Sequence, residues 1–565
     1  MSYDLKISGG TIVDGTGAPG RRGDVGIRDG KIVALGEAPE EAARTIDATG
    51  MVVCPGFVDI HTHYDAQVLW DRMLTISPWH GVTTAVMGNC GFGIAPTRPE
   101  HRRLILQTLE NVEGMSLEAL ETGLGGDWGF ETFPEYLDVL ERRGAAINLG
   151  VLIGHTPLRM YVMGEDAVER AATDAEVARM RDIVRDALEA GAVGFATSKA
   201  ITHWGYAGKP VPSRLADLEE IEELASPVGE AGAMVQVNVG PGFYLKELSS
   251  IARRTGRWIS WTAMLTGLFG PGGHRKQLAR TAELADEGLH IVPQVACRPL
   301  NFEFQFEAPF PFEAMPMFSQ LSAGSRDARL AKYRDPAWRQ QVRDTLIPVL
   351  QGWTDRTTIA VYPPEPALEE RNLAEVARER GVDATDLALD MALATDLKAR
   401  FRTAVLNTDE EAIGEMLHDP NTVLGLSDAG AHASQLCDAC FSTHLLAHWV
   451  RETGVLTLEQ GVRALTSRPA EVFGIADRGR LEVGLPADVV VFDPQTVGAG
   501  PIRRVNDLPG GADRLQSEAI GIEAVVVNGV LLRHRGIDQV DPEGPLPGRV
   551  LRKGRASASG RLAAE

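Results

Sequence analysis

Phe57-Val58-Asp59-Ile60-His61-Thr62-His63 is a short apolar strand that ends in two imidazoles. Side chains alternate along a strand, so Val58 and Ile60 face one way while Asp59, His61 and His63 face the other. In a parallel barrel the outward face packs on helices and takes the apolar pair. The inward face then carries both histidines at the strand's carboxyl end, roughly 7 Å apart along the chain and able to converge on one ion. A His-x-His pair alone is a weak signal, because hydrogen-bonded structural histidines are common. The apolar run before it and the acidic Asp65 after it strengthen the metal reading.

The same unit recurs downstream: a short apolar strand, a polar loop, an amphipathic helix. Eight candidate strands end near His63, Cys90, His155, Lys199, Asn238, Leu265, Arg298 and Asp428. After Thr173, a capping box with Glu176 leads into a stripe of Val177, Met180, Ile183, Val184, Ala187 and Leu188, closed by Gly191. Eight such units predict an α/β fold, a (β/α)8 TIM-like barrel over residues 55–479 with its chemistry at the carboxyl ends of the strands. An insertion from about 299 to 420 opens with the aromatic run Asn301 to Phe306 and is expected over the barrel mouth. Residues 1–54 and 480–548 read differently, as short strands punctuated by Gly9-Gly10, Asp14-Gly15, Asp29-Gly30 and Asn528-Gly529. They predict one small β-sandwich built from both chain ends. The basic, small-residue segment 549–565 is expected to be loosely ordered.

Composition narrows the function. The chain has 565 residues, 44% of them hydrophobic and 24% charged, as expected for a soluble protein of two or three domains. A formal charge of −21 opposes nucleic-acid and anionic-membrane partners. Five scattered cysteines imply no disulfide framework. The start lacks a signal-peptide pattern, and no run of 18 apolar residues suggests a membrane span. The expectation is a cytoplasmic protein acting on a small molecule, with self-association left open.

Two further strand ends carry chemistry. Asp428 closes Thr422 to Ser427 and reads either as a helix cap or as a base beside the metal. Cys90 closes Val82 to Asn89; the flanking Gly88 and Gly91 leave room for close approach, and a thiolate is a good zinc ligand. A buried cysteine is otherwise often inert. Cys437 and Cys440, lacking a second pair, read as structural, and the glycine loops at 123–129 and 270–273 lack a phosphate-cradle pattern.

These residues resemble the amidohydrolase superfamily, and within it the N-acyl-D-amino-acid deacylase (D-aminoacylase) branch. The resemblance rests on Pro55 to Asp65, Gly88 to Gly91, Gly154 to Arg159, Gly425 to His432, Thr466 to Ala470 and Gly484 to Asp488, and spans nearly the whole chain. It implies a distorted barrel and a zinc-dependent amide hydrolase. His61, His63 and Cys90 would bind metal, and Asp428 would both touch it and serve as acid/base for metal-activated water. The branch also places metal-binding histidines after the fifth and sixth strands. Here those stretches read Met234 to Gly240 and Trp258 to Met264, without a histidine. The expectation is therefore one zinc ion per chain rather than two, with His155 and His203 as the spare imidazoles nearby. Arg159, Lys199 and Arg298 are candidate cations for a substrate carboxylate, alongside His155 and His203 as substrate-side donors. The weaker reading of Lys199 is a carboxylated lysine bridging two metals. Rival readings are a hydrolase of cyclic amides, ureas or carbamates, and a catalytically silent binding protein that keeps the fold.

Overall fold

The computed structural model describes residues 2–313, 315–322, 324–553 and 555–556. At its centre run eight parallel strands: β1 (Phe57–Asp59), β2 (Val82–Met87), β3 (Asn148–Gly154), β4 (Gly194–Ser198), β5 (Met234–Asn238), β6 (Ile259–Met264), β7 (Ile291–Val295) and β8 (Val423–Leu424). They pair in sequence order, each with the next. Helices return the chain between them; Asp174–Ala190 starts on the expected Thr173/Glu176 capping box and stops at Gly191. The distorted barrel follows from this arrangement. Its last strand has two residues, and it meets β1 through one parallel bridge, Thr62 to Ala429, with His63 N–H donating to the Ala429 carbonyl at 2.7 Å.

Both chain ends build the β-sandwich expected of them, as a mixed sheet of nine strands. Val52–Pro55 lies parallel to Tyr3–Ile12 and antiparallel to Val489–Phe492. Leu5, Ile7, Ile27, Val53, Val489 and Val526 form its core. Residue 55 leads through Gly56 into β1, so this sheet anchors the strand that carries the histidines.

Between β7 and β8, Leu300–Gln305, Thr357–Val361 and Arg400–Leu406 form a separate antiparallel sheet. Phe304, Phe306, Phe312, Trp338, Trp353 and Phe401 give it a core of its own. Helix Glu410–His418 already belongs to the barrel: Glu415 pairs with His274 at 2.9 Å and with Arg275 at 2.5 Å on helix Gly273–Asp286. The barrel thus resumes by residue 410, ahead of the expected limit near 420.

The expectation of a loose tail from residue 549 is corrected for its first part. Arg549 O accepts from Leu149 N–H, Val550 and Leu551 are buried, and Arg552 pairs with Asp138 and Glu141. Two apolar side chains and a doubly paired guanidinium tie this segment to the barrel. The rest of that expectation, at 557–565, lies outside the described residues.

One buried network joins barrel and sandwich. Asp488 accepts from Asn148 Nδ2 at 2.7 Å and from Asn528 N–H at 2.6 Å, and pairs with Arg478 Nε at 2.5 Å. The Arg478 side chain is 1% exposed. Asp488→Ala removes the buried carboxylate and leaves the guanidinium with Asp477 at 3.0 Å as its remaining acid, at a cost of about 3 kcal/mol. Urea unfolding should show the loss; a change under about 1 kcal/mol would mean the pair is dispensable.

Candidate metal centre

The site sits where β1, β2 and β8 end. His61 Nε2 lies 3.3 Å from Cys90 Sγ and 3.2 Å from Asp428 Oδ1. His63 Nε2 lies 3.9 Å from the same sulfur and 3.7 Å from the same oxygen. Two imidazole nitrogens, a thiol and a carboxylate oxygen therefore face one point, and His61, His63 and Cys90 offer atoms all within 4.8 Å of one another.

The outer ring nitrogens are fixed as well. His61 Nδ1 donates to Gln294 Oε1 at 2.7 Å, and Gln294 Nε2 donates to Ser260 Oγ at 3.0 Å. His63 Nδ1 faces Glu113 Oε1 at 3.2 Å. A proton held on each Nδ1 turns each Nε2 inward, the orientation a metal-ligating histidine requires once the ion displaces any proton there. Ser427 Oγ donates to Asp59 Oδ2 at 2.6 Å and is 2.9 Å from the His61 carbonyl, bracing β1 against the turn before Asp428.

Backbone conformation aims two of the donors. Cys90 is left-handed at φ 59° and Asp428 at φ 46°, conformations that side-chain-bearing residues rarely hold without surrounding constraint. The glycines beside Cys90 are steric necessities. A Cβ on Gly88 would lie 2.2 Å from Leu152 O, and one on Gly91 2.8 Å from Thr197 Cα.

Burial shapes the charges. It pushes the Cys90 thiol up, but the two imidazoles outweigh it and bring the thiol down to about 6. It pulls His61 down, yet Cys90 and Asp428 carry it up to about 9. Asp428 is also burdened by burial, and His63 and His61 hold it below the usual carboxylate range. Glu113 is pushed up to about 8 by burial, with His63 opposing. Acids held next to each other against two imidazoles form a pocket that suits a cation. The N2SO donor set, oriented from behind, fits zinc.

The expected residues divide. His61, His63, Cys90 and Asp428 come together. His203 and Arg298 line the same cavity of about 340 Å³, whose wall also holds His432. His203 bonds Ser198 Oγ through Nδ1 at 2.7 Å and is pushed down to about 3, chiefly by burial, so it is neutral. Arg298 pairs with Asp438 Oδ1 at 3.0 Å.

His155, Arg159 and Lys199 are placed elsewhere, and their expected role facing substrate is corrected. His155 donates from Nε2 to Glu220 at 2.9 Å and accepts from Thr197 Oγ1 at 2.8 Å. Arg159, fully buried, pairs with Glu220 at 2.5 Å. Lys199 donates to the Arg214 and Ala216 carbonyls at 2.7 and 2.6 Å. Their side chains are turned to these partners, and none of the three lines the cavity. With its amine committed to two carbonyls, Lys199 does not reach the cluster.

Sequence reasoning missed Glu113, Gln294 and His432. Glu113 had a signal: it falls on the buried stripe of Ile105, Leu109 and Val112 in helix Arg102–Glu113, where a carboxylate needs a reason. Gln294 looks the same as any polar residue in an inner strand.

The chain is similar to known proteins over nearly its whole length. A family model described as "Amidohydrolase family" matches residues 44–361 and 351–533. A D-aminoacylase of Alcaligenes xylosoxydans xylosoxydans is 31% identical over 540 residues, 93% of this chain and 94% of that protein. The crystal structure of an N-acyl-D-glutamate deacylase from Bordetella bronchiseptica, complexed with zinc and a phosphonate mimic of the tetrahedral intermediate, superposes with a TM-score of 0.65 at 29% identity, covering 98% of this chain and all of that one. A D-aminoacylase structure with a binuclear metal centre, described by one-metal activation and second-metal attenuation, gives 0.64 at 27% identity over 97% of this chain and 100% of its own.

The Glu220 network yields a stability prediction. Burial pushes Glu220 up, but His155 and Arg159 dominate and take it from 4.5 down to about 2. Its contribution is therefore full above about pH 4.5 and is lost as pH falls toward 2. Glu220→Gln should cost about 3–5 kcal/mol at neutral pH, because Arg159 stays buried. Urea midpoints measured against pH should show the acid loss in the parent and a flatter limb in the variant; identical limbs would refute the assignment.

Proposed function

The chain belongs to the amidohydrolase family, and from that membership we propose a zinc-dependent hydrolase that cleaves the linear amide of an N-acyl-D-amino acid. The observation that carries the reading is the convergence of His61 Nε2, His63 Nε2, Cys90 Sγ and Asp428 Oδ1 on one point at a cavity floor. Relatives over nearly the full chain are deacylases, which supports a linear amide over a cyclic one.

His61, His63, Cys90 and Asp428 would hold the ion, with Gln294 and Glu113 orienting the two imidazoles. Zinc bound there supplies Lewis acidity, which acidifies water and polarises an amide carbonyl. Asp428 is ionised at neutral pH and accepts the proton of the attacking water. It then returns that proton to the departing amine nitrogen as the C–N bond breaks. His203 and His432, both held neutral by burial, can hydrogen-bond the amide or its carboxylate without adding charge. Arg298 is the cation for the substrate carboxylate.

Two features support one ion per chain. Asn238 ends β5 and Thr262 lies within β6, and Asn238 Oδ1 already accepts from Gln236 Nε2 and Thr262 Oγ1. The related D-aminoacylase has a binuclear centre described by one-metal activation and second-metal attenuation, so one ion is enough for activity there. Five unbridged cysteines suit a reducing compartment, so a cytoplasmic setting belongs to the reading. No helix among the described residues is long and apolar enough to cross a membrane.

Two outcomes test it. Asp428→Asn should retain near-stoichiometric zinc by elemental analysis while kcat/KM on N-acyl-D-amino acids falls about 10²–10⁴-fold; full activity would remove Asp428 from proton transfer. Purified enzyme should carry about one zinc per chain, lose activity on chelation and regain it with zinc. Turnover of hydantoins or ureas, with acyl amino acids untouched, would overturn the linear-amide reading.

A further inference from the structure

The cavity above the cluster is unevenly furnished. Its ionisable groups His61, His63, Cys90, Glu113, Asp428 and His432 gather on the side of β1, β2 and β8, while the β4 to β6 side adds only the polar Thr202, His203, Asn238 and Thr262. The opposite arc, over β4 to β6, is walled by Ile201, Val239, Pro241, Ala263, Leu265 and Leu268. Among the described residues of the wall, Arg298 is the one arginine or lysine, and it follows β7.

The apolar arc continues outward. Ile201 is 55% exposed and Leu268 49%, although both line the cavity. Trp204 follows three residues on, 49% exposed, its ring covered by Arg214 at 4.6 Å. Phe310, 48% exposed, lies 5.2 Å from Phe302, whose ring is 6.2 Å from that of the wall residue His432. Trp204 and Phe310 are the exposed large aromatics among the described residues; Trp204 follows the wall residue His203, and Phe310 reaches the wall residue His432 through Phe302. Scattered single apolar residues need no explanation, but a collar of four continuous with a site cavity does.

Resting on the proposed amide hydrolysis, we infer that the substrate's acyl group is a medium or long apolar chain, laid along the collar of Ile201, Trp204, Leu268 and Phe310. Barrel order decides which arm of the substrate goes there. A carboxylate at Arg298 and a scissile carbonyl at the cluster occupy the neighbouring sector from β7 round to β2. The amino-acid half fills that sector, and the acyl half takes the remaining arc over β4 to β6. An acetyl group would leave this arc wet, whereas each added methylene gains contact with a half-exposed wall. At about half of full burial that gain is about twofold per methylene in kcat/KM. The reaction is the same hydrolysis: water adds across the amide, releasing a fatty acid and a free amino acid.

The experiment is a chain-length series of N-acetyl-, N-hexanoyl-, N-octanoyl- and N-decanoyl-D-leucine on the zinc enzyme. The octanoyl-to-acetyl ratio of kcat/KM should exceed about tenfold. Ile201→Ser and Leu268→Ser, each at an exposed position that folding does not need, should lower that ratio about threefold or more. A flat or falling series on an enzyme that hydrolyses the acetyl substrate, or a ratio untouched in both variants, overturns the acyl assignment and leaves the amide reading standing. No hydrolysis of any member overturns both.

Discussion

Asp428 meets the two imidazoles only because the barrel closes across a seam with little backbone hydrogen bonding. β8 has two residues, paired to Gln294 and Val295 of β7. Beyond them the chain leaves strand conformation, with Leu426 and Asp428 both left-handed. What carries closure is the Thr62–Ala429 bridge and the Ser427 hydroxyl, shared between the Asp59 carboxylate and the His61 carbonyl. A regular ladder would hold the eighth strand's side chains at strand spacing. The broken one lets a carboxylate turn onto the first strand. Strain of this kind persists only where neighbours over-determine it, and here they do so through buried hydrogen bonds.

The same seam explains why acids survive at the cavity floor. Asp59, pushed up to about 7 chiefly by burial, is held by Ser427 and the His61 N–H and stays out of the donor set. Glu113 comes from a helix rather than from a strand, and reaches His63 from behind. Each imidazole thus has a polar partner on its far side that fixes the ring, so the inner nitrogens are preorganised before any ion arrives. Gln294 does this on β7, the strand that also carries the seam's remaining backbone pairs. Closure and ligand orientation are one construction.

Much of this was legible in the chain. The alternation in Phe57 to His63 placed both histidines on the inner face, and strand-end positions brought Cys90 and Asp428 to them. Such residues are readable because a barrel converts position along a strand into position at the mouth. His155, Arg159 and Lys199 satisfy the same rule and still miss the cavity. Glu220, buried on helix Leu218–Ala231, draws His155 and Arg159 inward, while two backbone carbonyls hold Lys199. No local pattern announces a partner 61 or 65 residues away. The limits of the insertion blurred for a related reason: helix Glu410–His418 is amphipathic like any other, and only its packing on Gly273–Asp286 shows which unit it serves.

The positions after β5 and β6 show how a missing pair of ligands can be absorbed. An imidazole there would offer a lone pair to an ion. Asn238 offers a carbonyl oxygen, and both of its lone pairs are taken, by Gln236 Nε2 and Thr262 Oγ1. Gln236 in turn accepts the Cys90 N–H at 2.8 Å. The run from Thr262 through Asn238 and Gln236 therefore ends on the left-handed residue that presents the thiol. Cys90 cannot relax toward ordinary backbone without breaking its bond to Gln236. In the proposed one-ion centre, the polar side chains of these two strands serve to hold the residue that presents the thiol.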